Sequence, residues 1–320
     1  MKYLILIIVI MANLGCANEN KQDLKTEREN GVLTISAGDK DLLSYQFETM
    51  YPPEGIDSVF KRSAFIHPLK TPSGKILTQI QPEGHRHHYG LWNPWTHVYF
   101  EGDTLDFWNL AKEEGTVQFA GFNFVEEGEG YAEYSALHEH VAFKKDGSEK
   151  VALNEIQTVK VHHLEKDSYL IDFTFEYQTA SESPFKILEY RYAGFTWRAT
   201  EIWNKQNSEL FTSAGIDRDG ADGSKAKWYV LQGKLGGDYG GAVVMSNPEN
   251  FNHPEPLRVW PADMTDRGDV FACFCPTKDT DWLLESGKTY ILKYRMLVYD
   301  GKWNAEEAES AWQDYAADIQ

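Results

Sequence analysis

Imidazole, indole and carboxylate side chains crowd one stretch of this chain. Between His67 and Leu110 lie His67, His85, His87, His88 and His97, five of the ten histidines, with Trp92, Trp95 and Trp108 among ten tryptophans. The densest run reads Gly84-His85-Arg86-His87-His88-Tyr89-Gly90-Leu91-Trp92. Imidazole exchanges a proton near neutral pH and can ligate a metal. If residues 85–88 are extended, His85 and His87 share one face and His88 takes the other. Two histidines so spaced suit a divalent metal, although no acidic third ligand follows at a short interval. His138 and His140 repeat the spacing elsewhere.

Indole faces stack on the C–H faces of sugar rings while nearby polar groups bond the hydroxyls. Trp92, Trp95 and Trp108, with Asp106, Asn93 and Asn109, have that character. Each tryptophan taken alone suits a core, and each histidine alone suits a hydrogen-bonded loop. The cluster as a whole suits a pocket. A second constellation, Glu189-Tyr190-Arg191-Tyr192, reads as a strand with Glu189 and Arg191 on one side. In a cleft these would be a general base and a clamp for an anion or hydroxyl; on an open sheet, an ion pair.

The leading expectation is therefore a sugar or glycoside site with acid–base chemistry. His88 would donate a proton, Glu189 would accept one, and His87 stands with them as a catalytic residue. His67, His85, Trp92, Trp95, Asp106, Trp108 and Arg191 would bind substrate. Lyase, epimerase and hydrolase reactions all need such a pair. No cofactor is required. One alternative is a carbohydrate-binding protein without catalysis, and another a metal-dependent oxygenase or hydrolase using His85, His87 and one further ligand. The sequence lacks a Gly-x-Ser-x-Gly elbow, a phosphate-cradling Gly-x-x-x-x-Gly-Lys-Ser/Thr loop and a His-Glu-x-x-His motif, which argues against serine hydrolases, nucleotide enzymes and helix-borne zinc proteases.

The elements that must position these residues are mostly strands. From Tyr169 to Gln178 apolar and polar residues alternate, with Ile171, Phe173, Phe175 and Tyr177 on one face. Tyr290, Leu292, Tyr294, Met296 and Val298 do the same near the end. Further strands are expected over 32–37, 42–48, 64–69, 117–125, 131–143, 155–163, 186–192, 195–201, 227–232, 241–246 and 269–274, many bounded by turn dipeptides such as Asp146-Gly147 and Asp300-Gly301. One helix is expected, starting at Asn304 as N-cap, with Ala308, Ala311, Trp312, Tyr315 and Ile319 at helical spacing. The reading is mostly β: a large antiparallel β-sandwich with a short C-terminal helix, a barrel being the alternative. Cys273 and Cys275, two apart on a strand, are poorly placed to pair with each other and suit a core.

The amino terminus reads as an export signal. Lys2 precedes an apolar run from Tyr3 to Ala12, about ten residues, too short to span a bilayer as a helix. Gly15-Cys16 has the local pattern of a bacterial lipoprotein cleavage site, which would make Cys16 the lipidated residue; ordinary cleavage after Ala17 is the alternative. Residues 17–30 are polar and charged and read as a flexible tether, leaving 31–320 as a single domain. Membrane attachment would be by the lipid alone, in the cell envelope, at the periplasm or outer membrane. A net charge of −18 disfavours a nucleic-acid partner and leaves a small-molecule carbohydrate as the expected one.

Several stretches together resemble a bacterial family labelled methane oxygenase PmoA. They are His67-Pro68-Leu69 with Thr71-Pro72-Ser73-Gly74, His85-x-His87-His88-x-Gly90-Leu91-Trp92, Asp106-Phe107-Trp108, Tyr190-Arg191-Tyr192-Ala193-Gly194-Phe195, Asn247-Pro248 with Asn252-His253-Pro254, and Tyr294-Arg295 before Asp300-Gly301. The resemblance covers about 31–301. It implies a β-sandwich of the galactose-mutarotase type, a supersandwich, and a link with sugar metabolism.

Overall fold

A computed structural model of the chain describes residues 23–165 and 167–318. The expected export signal, Cys16 and the first part of the tether lie outside the described residues. Among those described, no helix is long and apolar enough to cross a membrane.

The alternating segments assemble into large antiparallel sheets, as expected. The eight-stranded sheet runs, in spatial order, Ser208–Thr212, Trp228–Leu235, Asp238–Ser246, Tyr290–Asp300, Ser168–Thr179, Glu149–Glu165, Tyr131–Phe143 and Gly115–Gly128. The nine-stranded sheet runs Leu24–Glu29, Val32–Ala37, Lys40–Gln46, Phe65–Leu69, Leu91–Trp92, Thr196–Arg198, Phe271–Phe274, Glu255–Val259 and Lys225–Ala226. Four short strands, Trp282–Leu284, Phe185–Ile187, Val98–Phe100 and Asp103–Leu105, form a third sheet.

Aromatic rings fill the space between the two large sheets. Tyr169, Ile171, Phe173, Phe175 and Tyr177 are all buried, as period-two alternation requires. Phe195, just before a strand of the nine-stranded sheet, packs on Phe173 (4.8 Å) and stacks on Tyr294 (4.9 Å); Tyr294 in turn stacks on Phe274 (5.6 Å). Tyr45 and Tyr134 stack across the same gap at 4.6 Å. In Tyr290–Asp300 the alternation ends at Met296, beyond which Leu297 and Tyr299 are buried too. The cause is the helix Ala305–Ala317, which covers the outer face there with Ala308 and Tyr315. Asn304 caps it, accepting from the Glu306 and Glu307 amides, and Glu307 returns the bond to the Asn304 amide.

Two expectations need correction. The tether does not extend to residue 30, because Leu24–Glu29 is an edge strand paired with Val32–Ala37. Its main-chain bonds do not depend on side-chain polarity. Leu24 is buried, and Glu127 accepts from both the Thr26 amide and hydroxyl. The strand expected over 186–192 stops at Ile187, and residues 188–195 form an irregular loop. Cys273 and Cys275 are buried free thiols, as expected.

A polar knot lies inside the aromatic layer. Glu155 is fully buried and accepts from His138 Nδ1 and His140 Nε2, each at 3.0 Å. The Tyr45 hydroxyl bonds His138 Nε2 at 2.6 Å, and Asn93 Nδ2 donates to both Glu155 and the Tyr177 hydroxyl. The second histidine pair is thus a structural bridge between sheets. Burial raises the Glu155 pKa, but its two histidines outweigh this and hold the carboxyl below the usual range. Glu155→Ala strips a buried network of its anion and should cost about 3–5 kcal/mol of folding stability, measured by urea denaturation.

Candidate functional site

The histidine run is not extended. The His85 amide donates to Pro82 O (3.0 Å), the His88 amide to His85 O (3.0 Å), and the Gln81 amide to His88 O (2.7 Å). Gly84, with φ +77°, permits the first of these turns. Two successive turns therefore bring His85, His87 and His88 to one place, with ring centroids 4.8 to 6.1 Å apart. The expectation that His88 would face away from the other two is overturned.

These rings open onto a cavity of about 280 Å³. Its other walls come from the loop 93–97, the turn after Leu105, the irregular loop 188–195 and the residues after Val259. His88 forms the floor, packed on Trp92 (5.5 Å), Trp260 (5.6 Å) and Phe271 (5.3 Å). Trp108, Trp260 and Tyr192 supply aromatic walls, and His85 rests on Trp260 at 4.8 Å. The Tyr192 hydroxyl oxygen accepts from Arg258 Nη2 (2.9 Å) and Trp260 Nε1 (3.0 Å).

Of the residues expected in the site, His85, His87, His88, Asp106, Trp108 and Arg191 line this cavity. Four others do not. Glu189 is exposed and outside it, with its amide bonded to Asp281. The residue lies in a loop, so strand alternation does not carry it beside Arg191. Trp95 is wholly buried between Tyr177 and Trp282, in the aromatic layer. Trp92 lies one layer below, against His88 and Trp108. His67 bonds the Thr78 hydroxyl at 2.9 Å, away from the cavity. Thr96, Lys112 and Trp260 line it without any distinguishing sequence signal; Tyr190 and Tyr192 sat on what read as the opposite strand face.

Asp106 is a structural carboxylate. Its Oδ1 accepts from the Trp108 and Asn109 amides, both at 2.8 Å, and its Oδ2 pairs with Lys112 Nζ at 2.8 Å. Burial works against the charge, yet these partners hold its pKa below the usual value. The histidines behave in the opposite sense. Burial, reinforced by neighbouring rings and Arg198, pulls His88 well below an ordinary imidazole. Burial also lowers His85, and brings His87 to about 4. All three rings are thus neutral at pH 7. Among the described residues none of them makes a side-chain hydrogen bond, and no three histidine, cysteine or acidic side chains converge as metal ligands. The His88 Nδ1 and Thr96 Oγ1 atoms are buried and unpartnered.

A family model described as "Family of unknown function (DUF6807)" matches residues 32–313. The chain belongs to this family. That match replaces the resemblance to the methane oxygenase PmoA family, which finds no support. The DUF6807 region takes in both large sheets, apart from the edge strand Leu24–Glu29, and every wall of the cavity. No curated protein matches the chain in sequence. Among solved structures, it is similar to the heparan sulfate lyase HepC from Pedobacter heparinus (9% identity, TM-score 0.38). A second similar structure is the heparinase III BT4657 gene product (9% identity, TM-score 0.39). The match covers 89% of this chain in both cases, but only 36% and 37% of those proteins.

The depressed histidines set a pH dependence of stability. Burial brings both His67 and His87 to about 4 in the folded protein, whereas an unfolded imidazole titrates near 6.5. Between those values the unfolded chain binds protons that the folded chain does not. The contribution of these two histidines is therefore complete above about pH 6.5 and is lost as the pH drops toward 4. Urea midpoints should decline from pH 7.5 through 6 to 5, and His67→Gln should make the decline shallower.

Proposed function

We propose that the cavity binds one sugar residue of a glycan or glycoside and transfers protons on it, making this protein a carbohydrate-active enzyme. The observation that carries the reading is an aromatic-walled cavity lined by three neutral imidazoles, His85, His87 and His88, that make no side-chain hydrogen bond of their own. A sugar hydroxyl can donate and accept, so it suits a neutral imidazole in either tautomer. Trp108 and Trp260 offer flat apolar faces to the ring carbons. At 280 Å³ the cavity is at the small end of ligand sites, which suits one ring instead of a length of chain.

The charge states assign the roles. A neutral imidazole accepts a proton, so His88 is the base in this reading, the reverse of the donor role expected from sequence. His87 lies beside it. The Tyr192 hydroxyl is the donor: its oxygen already accepts from Arg258 and Trp260, which leaves its own proton for the ligand. Glu189 takes no part. The amino-terminal signal would deliver this site to the cell envelope on a lipid at Cys16, where glycans and glycosides are accessible.

A panel of oligosaccharides and glycosides, with products followed by mass spectrometry, tests the reading. His88→Gln should lower kcat/KM by about 10²–10⁴-fold on the substrate found, the size of a general-base contribution. Tyr192→Phe should lower it as well, mainly in kcat. Glu189→Gln should leave it unchanged. Tight glycan binding with no product would identify a binding protein instead. Full activity of both His88→Gln and Tyr192→Phe would overturn the assignment.

A further inference from the structure

We infer that the sugar taken by this cavity is acidic and that its carboxylate sits on Arg191, with Lys112 beside it. The inference rests on the cavity being a sugar site and adds the substrate class. Arg191 lines the cavity and is exposed. Among the described residues its guanidinium makes no hydrogen bond and no ion pair. The guanidinium carbon lies 6.0 Å from the Tyr190 ring centre and 5.5 Å from that of Tyr192.

Other charges at the cavity are matched. Asp106 has Lys112 and two backbone amides. Arg258, behind Tyr192, has Asp222 at 2.8 Å. Arg198, behind Trp260, has Asp269 at 3.7 Å. The three histidines are uncharged at neutral pH. One unmatched positive charge remains, in a chain with 49 acidic residues against 31 basic ones. Such a chain repels anions at long range, so an anionic ligand needs a local cation to bind.

The loop carrying Arg191 is fixed on both sides. The Tyr190 amide donates to Thr277 O (3.0 Å) and its ring stacks on His97 at 3.8 Å. Tyr192 is held through its hydroxyl, and the Gly194 amide donates to Pro94 O (3.1 Å). The guanidinium is thus presented from an ordered base, and its planar fork matches a carboxylate in two parallel bonds. Lys112 Nζ spends one contact on Asp106 and has N–H groups left for the same anion.

Isothermal titration with the full chain tests this. The probes are methyl glucuronide and methyl galacturonide, the matching neutral glycosides, and glucose 6-sulfate. The uronides should bind at least about tenfold more tightly than the neutral glycosides, one well-made charged contact. Added salt should shrink that preference, and Arg191→Gln should abolish it; Arg191→Lys should restore part of it. Glu189→Gln, two positions away and outside the cavity, should leave the preference in place. Equal binding of neutral and acidic glycosides, or a preference that survives Arg191→Gln, would overturn the acidic class while the sugar site stands. Stronger binding of the sulfate than of either uronide would overturn the carboxylate. No binding of any probe would count against the sugar site itself.

Discussion

A carboxylate sealed from water anchors this molecule. Glu155 sits where the two large sheets meet, and an unpaired charge there would destabilise the fold by several kcal/mol. Its partners come from three places: His138 and His140 on the neighbouring strand, Tyr45 through His138 from the opposite sheet, and Asn93 from the loop that follows Trp92. Satisfying one charge therefore fixes the register of two strands, the spacing of the sheets and the start of a cavity loop. Around the knot the aromatic layer supplies the apolar burial, with Tyr45 stacked on Tyr134 and Trp95 set edge-on against Tyr177. The same loop leads on to Thr96, so core and cavity share a support.

The cavity inverts the core's chemistry. In the knot the Glu155 charge has its partners, and only His140 Nδ1 and Asn93 Oδ1 go without one. Around the cavity three neutral imidazoles go without side-chain bonds, and an arginine stands unmatched. Leaving polar groups unpaired is unfavourable for an isolated fold. A site that must bind a polar ligand gains from it, since the ligand then supplies the missing bonds. Aromatic packing beneath, through Trp92, Trp260 and Phe271, holds His88 without using its nitrogens.

Much of the sheet architecture was legible because one face of an antiparallel strand is buried and the other is wet. Ile171 to Tyr177 and Leu292 to Val298 show this directly. The signal failed where its premise did. Leu297 and Tyr299 are buried by a helix from outside, so the alternation stops reporting the face. Tyr190 and Tyr192 alternate like a strand, yet their loop is held by side-chain contacts and isolated amide bonds that leave no periodic trace. Leu24–Glu29 looks like a tether because an edge strand is held by its backbone, which composition does not record.

The sequence by itself determined the fold class, the capped C-terminal helix and the neighbourhood of the histidine-rich pocket, since these follow from local periodicity and from residue types clustered within a short span. Only the tertiary structure decided which side chains share the cavity. It removed Glu189, Trp92, Trp95 and His67, added Trp260, Thr96 and Lys112, and turned His88 toward His85 and His87. The reason is physical: burial, charge state and contact depend on what arrives from distant parts of the chain. No spacing between neighbours specifies that Trp260 will lie against His85 or that Arg258 will bind the Tyr192 hydroxyl.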